Sequence, residues 1–313
     1  MHTVIDLGSN PPTSKSFIIS SLNRLFSGSK GEGFENYGRI FGPRFLSEVG
    51  LDYEGAMALR KTSSEEEFDA FLDSIATKMA TDPDDYLKEL DEAGILWSLI
   101  TSDAVDPVDP VNSGNPDKFK LCASIDPFSE DIAVSKLEYC VKELGYAAYY
   151  ASPFEWGIRA NDRKFYPLYK KANELKIPVL IYTSMNYRTD RPMDIGRPLY
   201  LDQVAMDFPD MKIVAECGGW PWVNEMIGVA LRHRNVYIST CSHRPKYLAQ
   251  PGSGWEMFMQ FGNTLLQDRV VFASGASDMG LPIKQVVDEF SNLPIKDSVM
   301  EKWLHKNAEI LFE

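Results

Sequence analysis

Eight short apolar segments, rich in β-branched and aromatic residues, recur along the chain with amphipathic stretches between them. They are Val4 to Leu7, Leu96 to Thr101, Lys120 to Ile125, Ala147 to Ala151, Val179 to Thr183, Lys212 to Glu216, Val236 to Thr240 and Val270 to Ser274. Runs this brief read as buried strands, and their alternation with helical patterns from about residue 80 onward is the signature of parallel β/α architecture. Eight is also the strand number of a closed parallel barrel, so the expected fold class is α/β, a (β/α)8 TIM-type barrel.

The intervening helices carry their own signals. Thr81-Asp82-Pro83 starts one by side-chain capping and a fixed φ, and it runs to a stop at Gly94. Others are expected over Glu130 to Leu144, Arg163 to Leu175 with Asp162 as its cap, Leu199 to Phe208, Trp222 to Arg232, Gly254 to Leu266, Pro282 to Leu293 and Asp297 to Phe312. The stretch 11–65 breaks the alternation, being rich in Gly, Ser and aromatic residues (SGSKGEGFENYGRIFGPRF). It is too long for an ordinary connection and is expected as an elaborated first loop over the barrel mouth, serving as a pocket wall or as a subunit contact.

A chain of 313 residues, 44% apolar, is large enough for one such barrel spanning 1–313. With 32 Lys and Arg against 45 Asp and Glu, the formal charge of −13 argues against a nucleic-acid or anionic-membrane partner. The four cysteines, Cys122, Cys140, Cys217 and Cys241, have no C-x-x-C spacing, so they are expected as reduced thiols in a cytoplasmic protein. No apolar run approaches the ~18 residues of a membrane span.

From Trp156 to Phe312 the sequence carries NDRKFYPLYKKANELKIPVLIYTSMNY, GRPLYLDQVAMDFPDMKIVAECGGWPWVNEM, ALRHRNVYISTCSHRPKYL and DRVVFASG. With the VID start, these segments resemble the amidohydrolase superfamily, in the branch similar to aminocarboxymuconate-semialdehyde decarboxylase and the resorcylate decarboxylases. The resemblance implies an amidohydrolase-like barrel and a divalent metal, held by His-x-His after strand one, one His each after strands five and six, and an Asp after strand eight. Residue by residue, these ligands fall on Gly8 and Asn10, on Tyr182, on Glu216, and on either Gly275 or Asp278. None of the histidine positions holds a histidine, so the expectation is no metal and no cofactor.

Histidines are few, and His2, His233 and His305 fall away from the expected mouth, leaving His243 in TCSHRPKY. The expected catalytic groups are Glu216, as acid or base at the end of a buried strand, with His243, Tyr182 and Asp278. Asn10, Arg191, Arg244 and Trp220 are the expected substrate-binding residues, the arginines because a guanidinium fork suits a carboxylate. Structural roles stay open for each: an ion pair for Glu216, surface charge for the arginines, a rigid wall for Trp220, and an inert buried thiol for Cys217.

Two functions fit these residues. The first is a metal-independent enzyme of the hydrolase or lyase (decarboxylase-like) type, acting by acid/base catalysis on a small carbonyl or carboxylate compound. The second is a catalytically degenerate subunit that pairs with a metal-bearing relative. A dimer is expected in either case, a homodimer or that heterodimer.

Overall fold

The structure is a computed structural model that describes residues 2–9, 15–26, 35–103 and 116–313. Eight parallel strands form one sheet in sequence order: β1 (Val4–Ser9), β2 (Ile95–Asp103), β3 (Phe119–Ser124), β4 (Ala148–Ala151), β5 (Val179–Tyr182), β6 (Ile213–Glu216), β7 (Val236–Ser239) and β8 (Val270–Val271). Two backbone hydrogen bonds bring the last strand back to the first. The Leu7 N–H donates to the Phe272 carbonyl at 3.0 Å, and the Gly275 N–H donates to Gly8 at 2.9 Å. The chain is a (β/α)8 barrel.

Strand periodicity divides the side chains between two cores. Val179 and Ile181 of β5, and Ile213 and Ala215 of β6, face the surrounding helices. Leu180 and Val214, with Ile5, Leu7, Leu99 and Cys122, fill the barrel interior. The same alternation sends Tyr150, Tyr182 and Glu216 inward at the C-terminal ends of their strands, where Tyr182 and Glu216 are register partners. The opposite end is plugged by helix Asn307–Phe312, whose Ala308 and Leu311 join the interior core and whose Phe312 ring lies 5.1 Å from Trp97. Lys212 fastens this plug by donating to the carbonyls of Ile310 and Leu311 at 2.9 Å. The site therefore has one open end.

The helices fall where the sequence places them, with small shifts. Helix Pro83–Glu92 has Asp82 accepting from the Asp84 amide, and helix Tyr166–Glu174 begins after Asp162, which accepts from Lys164 in the preceding turn instead of capping the helix. The stretch between β1 and β2 departs from expectation. Its described part is a set of helices, including Lys15–Phe26, Glu35–Phe41, Tyr53–Thr62 and Glu65–Met79, and not an irregular loop. These pack on a core of their own that includes Leu22, Phe26, Tyr53, Phe68, Leu72 and Ile75. Helix Glu65–Met79 opens with a capping box in which Ser64 and Glu67 bond reciprocally, satisfying two free backbone donors. No helix among the described residues is long and apolar enough to cross a membrane.

Candidate active site

At the open end a cavity of about 270 Å³ lies between the barrel and the inserted helices. Aromatic rings dominate its walls: Tyr37 and Phe41 from helix Glu35–Phe41, Phe154 after β4, Tyr182 ending β5, Tyr187 in the following loop, and Trp220 after β6. The rings pack on one another, with Tyr37 lying 5.3 Å from Phe154 and 5.5 Å from Tyr187, and Phe154 lying 5.5 Å from Tyr182. The inserted segment is tied to the mouth by hydrogen bonds. Asn36 donates to the Tyr187 carbonyl at 3.1 Å, and the Tyr187 amide donates to the Tyr37 hydroxyl at 3.3 Å.

Cys217, Ser242, His243 and Asp278 supply the polar lining deeper in the barrel. The chain turns sharply after Glu216, with Cys217 at φ 59° and Gly218 at φ 59°. Gly218 has no substitute here, because a Cβ would sit 2.5 Å from the Trp255 ring. Cys217, a non-glycine in the left-handed region, carries strain of the kind that gathers at functional sites.

Glu216 ends β6 and is 8% exposed, directly preceding the cavity-lining Cys217. Burial raises its carboxyl, a Tyr150 hydrogen bond opposes this, the charge of Asp278 adds to it, and the result is about 8. The group is thus mainly neutral at pH 7 and can donate a proton. Asp278 lines the cavity and accepts the Ser242 hydroxyl at 2.7 Å. Of the two strand-eight positions, Gly275 cannot carry a side chain, since a Cβ would meet the Ser242 amide nitrogen at 2.4 Å, and Asp278 is the one that reaches the cavity.

His243 lines the cavity with its ring 4.9 Å from Trp255 and 5.8 Å from Trp220. Burial pushes its imidazole down to about 4 against a hydrogen bond to the Cys217 backbone. The ring is therefore neutral at physiological pH. Tyr182 lines the cavity and donates to the Met185 carbonyl at 2.7 Å, and burial pushes its hydroxyl well above the usual phenol range. Cys241, a free thiol hydrogen-bonded to Cys217 and buried, likewise lies well above the usual thiol range.

The arginines expected to hold a substrate carboxylate are committed elsewhere. Arg191 pairs with Asp190 and donates to the Phe154 carbonyl at 2.7 Å, which fixes the loop behind the cavity wall. Arg244 forms a two-pronged bridge to Glu289, with Nη2 at 2.7 Å. Neither lines the cavity. Asp6, also buried, accepts from Gly8, from the Ser274 amide at 2.7 Å and from the Ser274 hydroxyl at 2.6 Å, pinning β1 to β8. Asn10 lies outside the described residues.

The residues do not fit the metal that the family resemblance implies. Among the described residues no three or more His, Cys, Asp or Glu side chains form a group able to hold an ion. Gly8 has no room for a ligand, since even a Cβ would meet Cys241 Sγ at 2.8 Å and Ala273 Cβ at 2.9 Å.

The sequence reading missed Tyr37, Phe41, Phe154 and Tyr187 as cavity walls, and Tyr150 as the partner of Glu216. Alternation along Ala147 to Ala151 was a usable signal for Tyr150, as it shares the inward register with Ala148.

Comparison with known proteins then places the chain. Residues 112–313 match the model of a family described as amidohydrolase. No curated protein sequence matches. Among solved structures, an uncharacterised TIM-barrel protein from Bordetella bronchiseptica is similar, with a TM-score of 0.68 and 27% identity over 99% of this chain and 98% of that one. The 5-carboxyvanillate decarboxylase from Sphingomonas paucimobilis superposes with a TM-score of 0.62 at 14% identity, covering 100% of this chain and 99% of that one. The 4-oxalomesaconate hydratase from Rhodopseudomonas palustris gives 0.55 at 18% identity, over 99% and 95%.

Proposed function

The chain belongs to the amidohydrolase family, and on that premise we propose that it is a metal-independent enzyme of the hydrolytic kind, acting on a small carbonyl compound by proton transfer. The observation that carries this reading is the placement of Glu216, buried at the inward-facing end of β6 and directly preceding Cys217 in the lining of a closed-bottomed aromatic cavity, where burial raises its carboxyl. Similar folds are named a decarboxylase and a hydratase, which supports an enzyme over a degenerate subunit.

In this reading the aromatic walls hold the substrate and exclude water, and the neutral His243 imidazole offers a hydrogen bond without charge. Glu216 gives its proton to the oxygen that gains electron density as water adds to the carbonyl, directly or through one water. Asp278, kept in place by Ser242, accepts a proton from the attacking water and passes it to the leaving oxygen as the acyl C–O bond breaks, while the re-forming carbonyl returns its proton to Glu216.

The test is turnover by Glu216→Gln, which keeps the shape and removes the acidic proton. A screen of small aromatic esters and lactones supplies the substrate, and circular dichroism checks the fold. Loss of activity by about 10² to 10⁴ is expected for a general acid. Undiminished turnover in the variant would remove Glu216 from the chemistry.

A further inference from the structure

We propose that the cavity selects a planar aromatic compound that carries no negative charge and holds a cationic one tightest. This inference rests on the reading of the cavity as the substrate site and adds the charge class of its ligand. Of the two substrate kinds expected from the sequence, it keeps the carbonyl compound and sets aside the carboxylate.

Three observations converge on it. The walls are ring surfaces, Tyr37, Phe41, Phe154, Tyr182, Tyr187 and Trp220, and the faces of such rings are electron-rich. They attract a cation within ~6 Å of a ring centroid and repel an anion. The second observation is the polar lining, where the Asp278 carboxylate faces the cavity with Ser242, which donates to it.

The third is where the positive charges have gone. Arg188 and Arg191 both bond Asp190, Arg197 pairs with Glu225 at 2.8 Å, and Arg244 pairs with Glu289 at 2.7 Å. All four of these guanidiniums are paired with acids outside the cavity, and no Lys or Arg is among the described residues that line it. A carboxylate entering it would lose its water and meet another carboxylate, a cost that nothing described in the cavity offsets. The net charge of −13 acts in the same direction by drawing cations toward the surface.

The experiment is isothermal titration of the purified protein at pH 7 with benzamidine, benzamide and benzoate, three planar probes of matched size that are cationic, neutral and anionic. The expected order of affinity is benzamidine, then benzamide, then benzoate, with roughly tenfold between the first two, the size of one cation–π contact. Asp278→Asn should bring benzamidine toward the level of benzamide. Benzoate binding as tightly as benzamide would overturn the proposal, as would binding of none of the three. Repeating the titration with Glu216→Gln separates the two readings. A variant that has lost turnover but keeps the charge order supports both, whereas turnover that survives alongside the charge order defeats only the catalytic reading.

Discussion

Glu216 is a carboxyl buried against a tyrosine hydroxyl and near a second carboxylate, and in such surroundings the protonated form is the stable one. Its folded pKa of about 8 stands above the ordinary 4.5, so the stability it contributes is complete below pH 4.5 and is lost as pH rises through about 8. Glu216→Gln has no such slope. Urea denaturation should therefore show the variant gaining on the parent between pH 5 and pH 8, by up to a few kcal/mol; parallel stability curves would contradict the buried neutral acid. His243 has the opposite sign, since its pKa is depressed to about 4. Its contribution is present above the ordinary 6.5 and lost as pH falls through about 4. The imidazole proton resonances of His243 should stay fixed from pH 8 to pH 6 and move only in acid, and a midpoint near 6.5 would refute this. The placement of both residues was legible in the sequence because each follows a buried strand. Their protonation was not legible, because it depends on Tyr150, Trp220 and Trp255, which belong to other elements.

At the level of elements, strand alternation was the most legible feature, and all eight strands appear within a few residues of their expected ends. Val179 to Tyr182 shows why: with period two, Leu180 and Tyr182 must share the inward face while Val179 and Ile181 face the helices. The inserted segment was less legible. Its helices bury a core shared only among themselves, and the Ser64 to Glu67 capping signal was masked by the Gly and Ser content before it. Tight packing also explains Gly8, which faces Cys241 and Ala273 at distances that leave no space for a methyl group. Gly8→Ala should destabilise the protein by about 1 to 3 kcal/mol through overpacking. A melting temperature unchanged by this substitution would show that the β1 end has more room than the structure gives it.

The molecule as a whole produces a site that no single segment encodes. One end of the barrel is closed by helix Asn307–Phe312, and the other is covered by helices inserted between β1 and β2. The rings that line the cavity are separated by more than a hundred residues in the chain, Tyr37 meeting Phe154 and Tyr187, so their convergence could not be read from spacing. The family resemblance supplied the positions, and the structure shows what the chain makes of them: a filled space at Gly8, a cavity wall at Tyr182 and a buried carboxyl at Glu216. This arrangement works as proposed only if the assembled barrel keeps Glu216 neutral at physiological pH. Infrared difference spectroscopy of the parent protein against Glu216→Gln, titrated from pH 5 to pH 10, reads that state from the carbonyl stretch of a protonated carboxyl. The account predicts a band present at pH 6, lost with a midpoint near 8 and absent from the variant. A Glu216 band already lost at pH 5 would contradict it.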